Sequence, residues 1–239
     1  MLSAVRPVVQ VLLAVVFMEG GLGILSPLAS LEMARRDVPN EVIGLVTSAY
    51  FVGFLAGTLT GHRIIDRAGH IRAFAMFAAL AANTAFAHLI LTDPYSWIGL
   101  RAVLGYAFAG LFVIVESWLN DKATEDTRGR IFALYIVVSL AATNVSPLAL
   151  HFEERLGVTI LFGLVAMLLT TALVPMALTR VGNPEIGYRA HFGIIRLLSI
   201  SPSGVVTCFG TGLVMTAFNG LLSAYTERGG FSTSQLAII

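Results

Sequence analysis

One cysteine, Cys208, stands in a chain of 239 residues, which excludes an internal disulfide and a cysteine-based zinc site. Charge is scarce as well: 12% of the residues are Asp, Glu, Lys or Arg, where a soluble domain carries about a quarter. The formal net charge of +1 leaves no basic surface for nucleic acid. Also missing are a Walker-type glycine loop, a His-Glu-x-x-His helix, clustered Cys and His, and a Gly-x-Ser-x-Gly elbow. Neither an enzyme, a metal site nor a cofactor is therefore expected. What is abundant is apolar surface, at 56% hydrophobic residues and a mean hydropathy of +0.83. The chain reads as an integral membrane protein whose first apolar run, with no small-residue cleavage site after it, is an anchored helix and not a signal peptide.

Crossing a bilayer takes about 20 mainly apolar residues. Seven runs qualify: Val8 to Leu31, Val42 to His62, Ile71 to Thr92, Ser96 to Leu119, Ile131 to His151, Val158 to Leu178, and Ser203 to Tyr225. Lys and Arg in the intervening segments set the orientation. Arg6, Arg63, Arg67, Arg72, Lys122, Arg128, Arg130, Arg180, Arg189 and Arg196 fall on one side, and Arg35, Arg36, Arg155 and Arg228 on the other. The richer side faces the cytoplasm, so the amino terminus is inside.

The sequence divides into a six-helix unit at 1–178, a cytoplasmic linker at 179–202, and the opening of a second unit at 203–239. The linker contains an amphipathic piece, Ile194-Ile195-Arg196-Leu197-Leu198, suited to the membrane surface. Ser232 and Gln235 have the form of a capping box that opens an eighth helix. The residues left after it span about 10 Å of helix, short of a hydrocarbon core of about 30 Å, so the chain reads as truncated.

Gly53, Gly57 and Gly61 recur every four residues on one face of the second run, which lets another helix approach closely. The run then breaks into Asp66-Arg67-Ala68-Gly69-His70-Ile71-Arg72, a tight charged turn between two membrane helices. This turn resembles the segment between the second and third helices of major facilitator superfamily transporters: a glycine, then Asp, Arg or Lys, any residue, Gly, Arg or Lys. Asp66, Arg67 and Gly69 match. His70 stands where a fixed cation is usual, and Gly61 lies one residue further from Asp66 than the pattern has it. In the fourth run, Arg101-Ala102-Val103-Leu104-Gly105 resembles the superfamily's arginine motif. Glu116-Ser117-Trp118-Leu119-Asn120-Asp121 and Arg128-Gly129-Arg130, together with Gly69-His70-Ile71-Arg72, resemble the YcaD-like bacterial branch of the superfamily.

The resemblance implies an all-α integral membrane fold: a six-helix amino-terminal bundle of 3+3 inverted repeats plus the start of a carboxy-terminal bundle. It implies a multi-pass protein of the bacterial inner (plasma) membrane, monomeric when full length, whose partners are the lipid bilayer, a small-molecule substrate and protons. It also implies that Asp66, Arg67, Gly69, His70, Arg72 and Glu116 form a cytoplasmic gate. Solvated loop charge is the alternative for these residues, although Glu116 lies before the end of an apolar helix and needs a partner.

Glu19 lies about 16 Å into the first helix, near the bilayer midplane. An ionisable group there marks an ion or proton route, or else a protonated carboxyl serves as interhelical glue. Glu19, Gly23, Ser26 and Ser30 fall within an arc of about 60° on a helical wheel, giving the helix a small, polar face that Pro27 can bend. Arg101 shares a face with Gly105, Phe108 and Phe112 and either lines the cavity or snorkels to headgroups. Glu19 is its candidate partner.

Tyr135, Ser139 and Thr143, with Asn144 beside them, make a polar stripe on the fifth run, and Thr207, Thr211, Met215, Asn219 and Ser223 make another on the seventh. The sixth run has no charge, which suits a lipid-facing place. His88 reads as a satisfied structural histidine and Cys208 as inert packing. The function expected is proton-coupled secondary transport of a small solute, with export slightly ahead of uptake by a permease. A membrane adaptor and an intramembrane enzyme are the readings from other classes.

Overall fold

The structure is a computed structural model and describes residues 8–179 and 194–229. Helix α1, Val9–Arg35, runs unbroken through Pro27. It ends where Asp37 takes a left-handed φ of 56° and the Val38 N–H reaches back to the Met33 carbonyl at 3.1 Å. Pro39 then leads into α2, Asn40–Thr60, and Gly61 separates this from a short α3, His62–Ala68. Gly69, at φ 80°, turns the chain into α4, His70–Ile90. Helix α5, Pro94–Lys122, starts on Asp93, whose side chain accepts from the Ser96 N–H at 3.0 Å, with Pro at the first turn where no N–H is needed. Thr124 and Thr127 cap α6, Glu125–Val145, reciprocally.

Ser146–Phe152 continues α6 as a 3₁₀ segment around Pro147, followed by α7, Glu153–Leu156. Gly157, at φ 81°, starts α8, Val158–Thr171, which α9, Leu173–Ala177, extends. The seventh run becomes α11, Pro202–Arg228, preceded by α10, Ile194–Ile200, on the amphipathic piece of the linker.

Six stretches among the described residues are long and apolar enough to cross a membrane: Val9–Arg35, Asn40–Thr60, His70–Ile90, Pro94–Lys122, Glu125–Leu156 and Val158–Ala177. Helix α11 adds a shorter apolar stretch, Pro202–Met215. No strand occurs among the described residues. Helix α1 packs on α6, α8 and α11, α2 packs on α5, and α4 lies between α5 and α8. Trp97, Trp118, Phe74, Phe77, Phe108 and Phe162 fill the core.

The α2–α5 contact shows why glycine occupies Gly53 and Gly105. A Cβ on Gly53 would run into the Ala102 carbonyl, and one on Gly105 into the Tyr50 carbonyl, so the two backbones meet through reciprocal gaps. Gly57 belongs to the same seam, its Cβ position lying 2.7 Å from the Ala109 methyl. Gly61 does not. It caps α2, and a Cβ there would meet the Gly57 carbonyl of its own helix.

Three further expectations need correction. The charged turn is narrower than the sequence implied, because Asp66 and Arg67 lie on α3 and only Gly69 makes the bend. The sixth run does more than face lipid, since Leu161, Phe162, Val165 and Leu169 of α8 are buried against α4 and α1. Cys208 is exposed on α11 and packs no core. The eighth-helix signal at Ser232 and Gln235 lies outside the described residues.

Candidate transport site

The polar face of α1 meets the polar stripe of α6. Gly23 permits the approach, because a side chain there would collide with Ser146 Oγ and the Thr143 carbonyl. At this crossing Glu19, 4% exposed, accepts hydrogen bonds from Ser139 Oγ at 2.7 Å and Thr143 Oγ1 at 2.9 Å. Both carboxylate oxygens are held by neutral hydroxyls, with no cation in ion-pairing range among the described residues. Tyr135 is buried one turn before Ser139, within electrostatic range of Glu19 and Glu116.

Other residues of the expected cavity behave differently. Ser26 is half-buried, and Asn144 is exposed, its amide donating to the Leu140 carbonyl of its own helix at 2.7 Å. Asn144 is thereby turned from the Glu19 cluster into α6's own backbone. The Asn219 side chain lies outside what the structure describes.

Arg101, 5% exposed, does not pair with Glu19. It donates to the Leu25 carbonyl of α1 at 3.1 Å, and its Nε is buried without a partner. Tyr50 of α2 lies within electrostatic range of both groups. His88 is only half satisfied: Nδ1 lies 2.7 Å from the Thr84 carbonyl, Nε2 has no partner, and the ring stacks on Phe162 at 5.9 Å.

The expected gate is not assembled as a network of ion pairs. Asp66, Arg67, Arg72 and Glu116 are exposed, with no ion pair among them. Helix α3 turns Ile65 inward and leaves its charges outside. His70 goes the other way, buried with Nε2 at 3.1 Å from Ser117 Oγ and its ring edge-on to Trp118.

A cluster of ion pairs lies instead at the end of the bundle that is poor in Lys and Arg, while Lys122 pairs with Asp121 at the other end. Arg35 holds Glu153 through two bonds of 2.9 and 3.0 Å and reaches Glu227 of α11 at 3.3 Å. Arg228 donates to the Val38 carbonyl at 2.6 Å. Helix α11 therefore meets the bundle near its own carboxyl end, where Ala224 and Thr226 are buried, while 206–209 and 211–215 are exposed. Sequence reasoning missed this cluster because Arg35 and Glu153 lie 118 residues apart, with no local pattern linking them.

Six membrane-length helices in this order, with a buried polar crossing between the first and fifth, describe a bundle of transporter type. The chain belongs to the Major Facilitator Superfamily, whose family model matches residues 11–239. An uncharacterized MFS-type transporter of Yersinia enterocolitica is 28% identical over 97% of this chain and 61% of its own length. The uncharacterized MFS-type transporter YcaD of Salmonella paratyphi A is 26% identical over 99% of this chain and 62% of its own. The chain thus spans less than two thirds of these relatives. The crystal structure of an auto-inhibited POT family peptide transporter superposes with a TM-score of 0.63 at 14% identity, covering 94% of this chain and 52% of that one, a likeness of fold alone.

Proposed function

We propose that this chain is part of a proton-coupled secondary transporter for a small solute, with Glu19 as the group that binds and releases the proton. The observation that carries this reading is Glu19 itself, a carboxyl buried in a membrane-spanning helix and held, among the described residues, by Ser139 and Thr143. Burial opposes its charge and the two hydroxyls support it, so modest changes in water access shift the balance. A rocking motion of two bundles about a midplane site would supply that change.

In this reading the amino terminus and the Gly69 turn face the cytoplasm of a bacterial inner membrane, residues 179–202 link the bundles, and the full-length protein works as a monomer. Asp66, Arg67, Arg72 and Glu116 would pair when the cytoplasmic side closes. Their separation here, beside the engaged Arg35 cluster, matches a state closed on the opposite side. For direction we put export slightly ahead of uptake.

The test compares pH-gradient-driven flux with gradient-free exchange for wild type and Glu19→Gln in the full-length protein. Loss of accumulation with exchange retained is the expected result. Accumulation that survives in the mutant would reduce Glu19 to interhelical glue.

A further inference from the structure

Proton coupling leaves one buried group unexplained. A guanidinium has five N–H donors and keeps its charge at any physiological pH. Arg101 spends one donor on the neutral Leu25 carbonyl, and its Nε is buried with nothing to donate to. No carboxylate stands within ion-pairing distance of it among the described residues. A lone buried cation is strongly unfavourable unless an anion neutralises it. That anion is absent from the side chains around it.

The surroundings narrow the choice of anion. Continuing along the face of α5 from Arg101 come Phe108 and Phe112, and against them from α2 come Tyr50 and Phe54. The rings follow one another at centroid distances of 6.4, 6.1, 5.9 and 6.2 Å. Tyr50, Phe54 and Phe112 are half-buried, leaving part of this aromatic wall open. A single positive charge matches a single negative one, and the planar fork of a guanidinium matches a carboxylate. A dianion would leave charge unpaired.

We propose that Arg101 anchors a binding site for small monocarboxylates with an apolar or aromatic body, the carboxylate on the guanidinium and the body against Tyr50, the near end of this aromatic wall. The proposal rests on the transport reading for its purpose and names the solute class. His88, whose unpartnered Nε2 lies on a ring in electrostatic range of Arg101, is a second polar group at the site.

The experiment measures thermal unfolding of the purified chain in neutral detergent with benzoate or benzamide, which share a ring and differ in charge. Benzoate is expected to raise Tm with concentration, as any ligand selective for the folded state does, and benzamide to leave it unchanged. Arg101→Gln should abolish the benzoate response. Arg101→Lys, which keeps the charge but loses the fork, should raise the half-saturating concentration about tenfold, and it decides the matter if the Gln variant does not fold. Equal shifts from benzamide, an undiminished benzoate shift in Arg101→Lys, or an equal shift from phosphatidylglycerol, an anionic headgroup, would overturn the proposal. Glu19→Gln should keep the benzoate shift. Failure of proton coupling therefore leaves this site standing, and failure of the shift leaves proton-coupled transport of a neutral or cationic solute.

Discussion

Arg101 donates to the carbonyl of Leu25, two residues before Pro27 in the same helix. Proline brings no N–H to the helix and crowds the preceding turn, so α1 is weakest where the guanidinium crosses to it. The contact ties α5 to the place where α1 can bend. Pro27→Ala should raise the thermal stability of the bundle, by up to about 3 kcal/mol on the helix-interior scale, and slow gradient-driven flux. Differential scanning calorimetry and liposome flux check the two halves. Higher stability with unchanged flux would mean that bending at Pro27 plays no part in transport.

Removing the donors to Glu19 tests its environment without touching the carboxyl. Ser139→Ala with Thr143→Ala takes away both hydrogen bonds, each worth about 1 to 3 kcal/mol to an ionised acceptor. These bonds favour the charged form, present at higher pH, so their loss makes protonation easier. The pH profile of flux is expected to move towards alkaline pH, by an amount that the single variants divide between them. An unmoved profile would separate Glu19 from the transported proton.

The Arg35 cluster predicts a graded effect. Glu153 is almost fully covered and Glu227 is not, with side-chain exposures of 8% and 27%. Arg35→Ala strands a covered carboxylate and should cost about 2 to 3 kcal/mol, whereas Glu227→Gln should cost under about 1 kcal/mol. Glu227→Gln should nonetheless loosen α11 from the bundle. Proteolysis between 194 and 229, measured beside chemical denaturation, reads both effects.

Glycine substitutions separate close approach from simple helix propensity. Gly53→Ala and Gly105→Ala push a methyl into a facing carbonyl and should each cost about 1 to 3 kcal/mol. Gly44→Ala and Gly99→Ala, where nothing lies within 4 Å, should be neutral or stabilising. Equal effects at all four sites would dissolve the tight α2–α5 seam.

The parts of this fold that the sequence made legible are those written in local repeats. Apolar runs marked the crossings, the four-residue glycine spacing marked the α2 seam, and the polar stripes on α1 and α6 turned out to face one another at Glu19. Long-range pairing was not legible. Arg35, Glu153 and Glu227 belong to different helices, and each reads locally as ordinary boundary charge. His70 was placed in a solvated gate, yet Gly69 turns the chain so that this side chain packs under Ser117 and Trp118. Asn144 joined the stripe by adjacency, but one residue along a helix is about 100° round it, enough to turn it outward.

Helix α11 meets the bundle near its own carboxyl end, and its exposed stretch carries the chain's lone thiol, Cys208. A wild-type chain can therefore take one spectroscopic label at a known place, with no cysteines to remove first. A nitroxide or fluorophore there sits near the tip of a lever whose pivot is Arg35 with Glu227. A rotation about that ion pair would therefore be read as a larger displacement at the label.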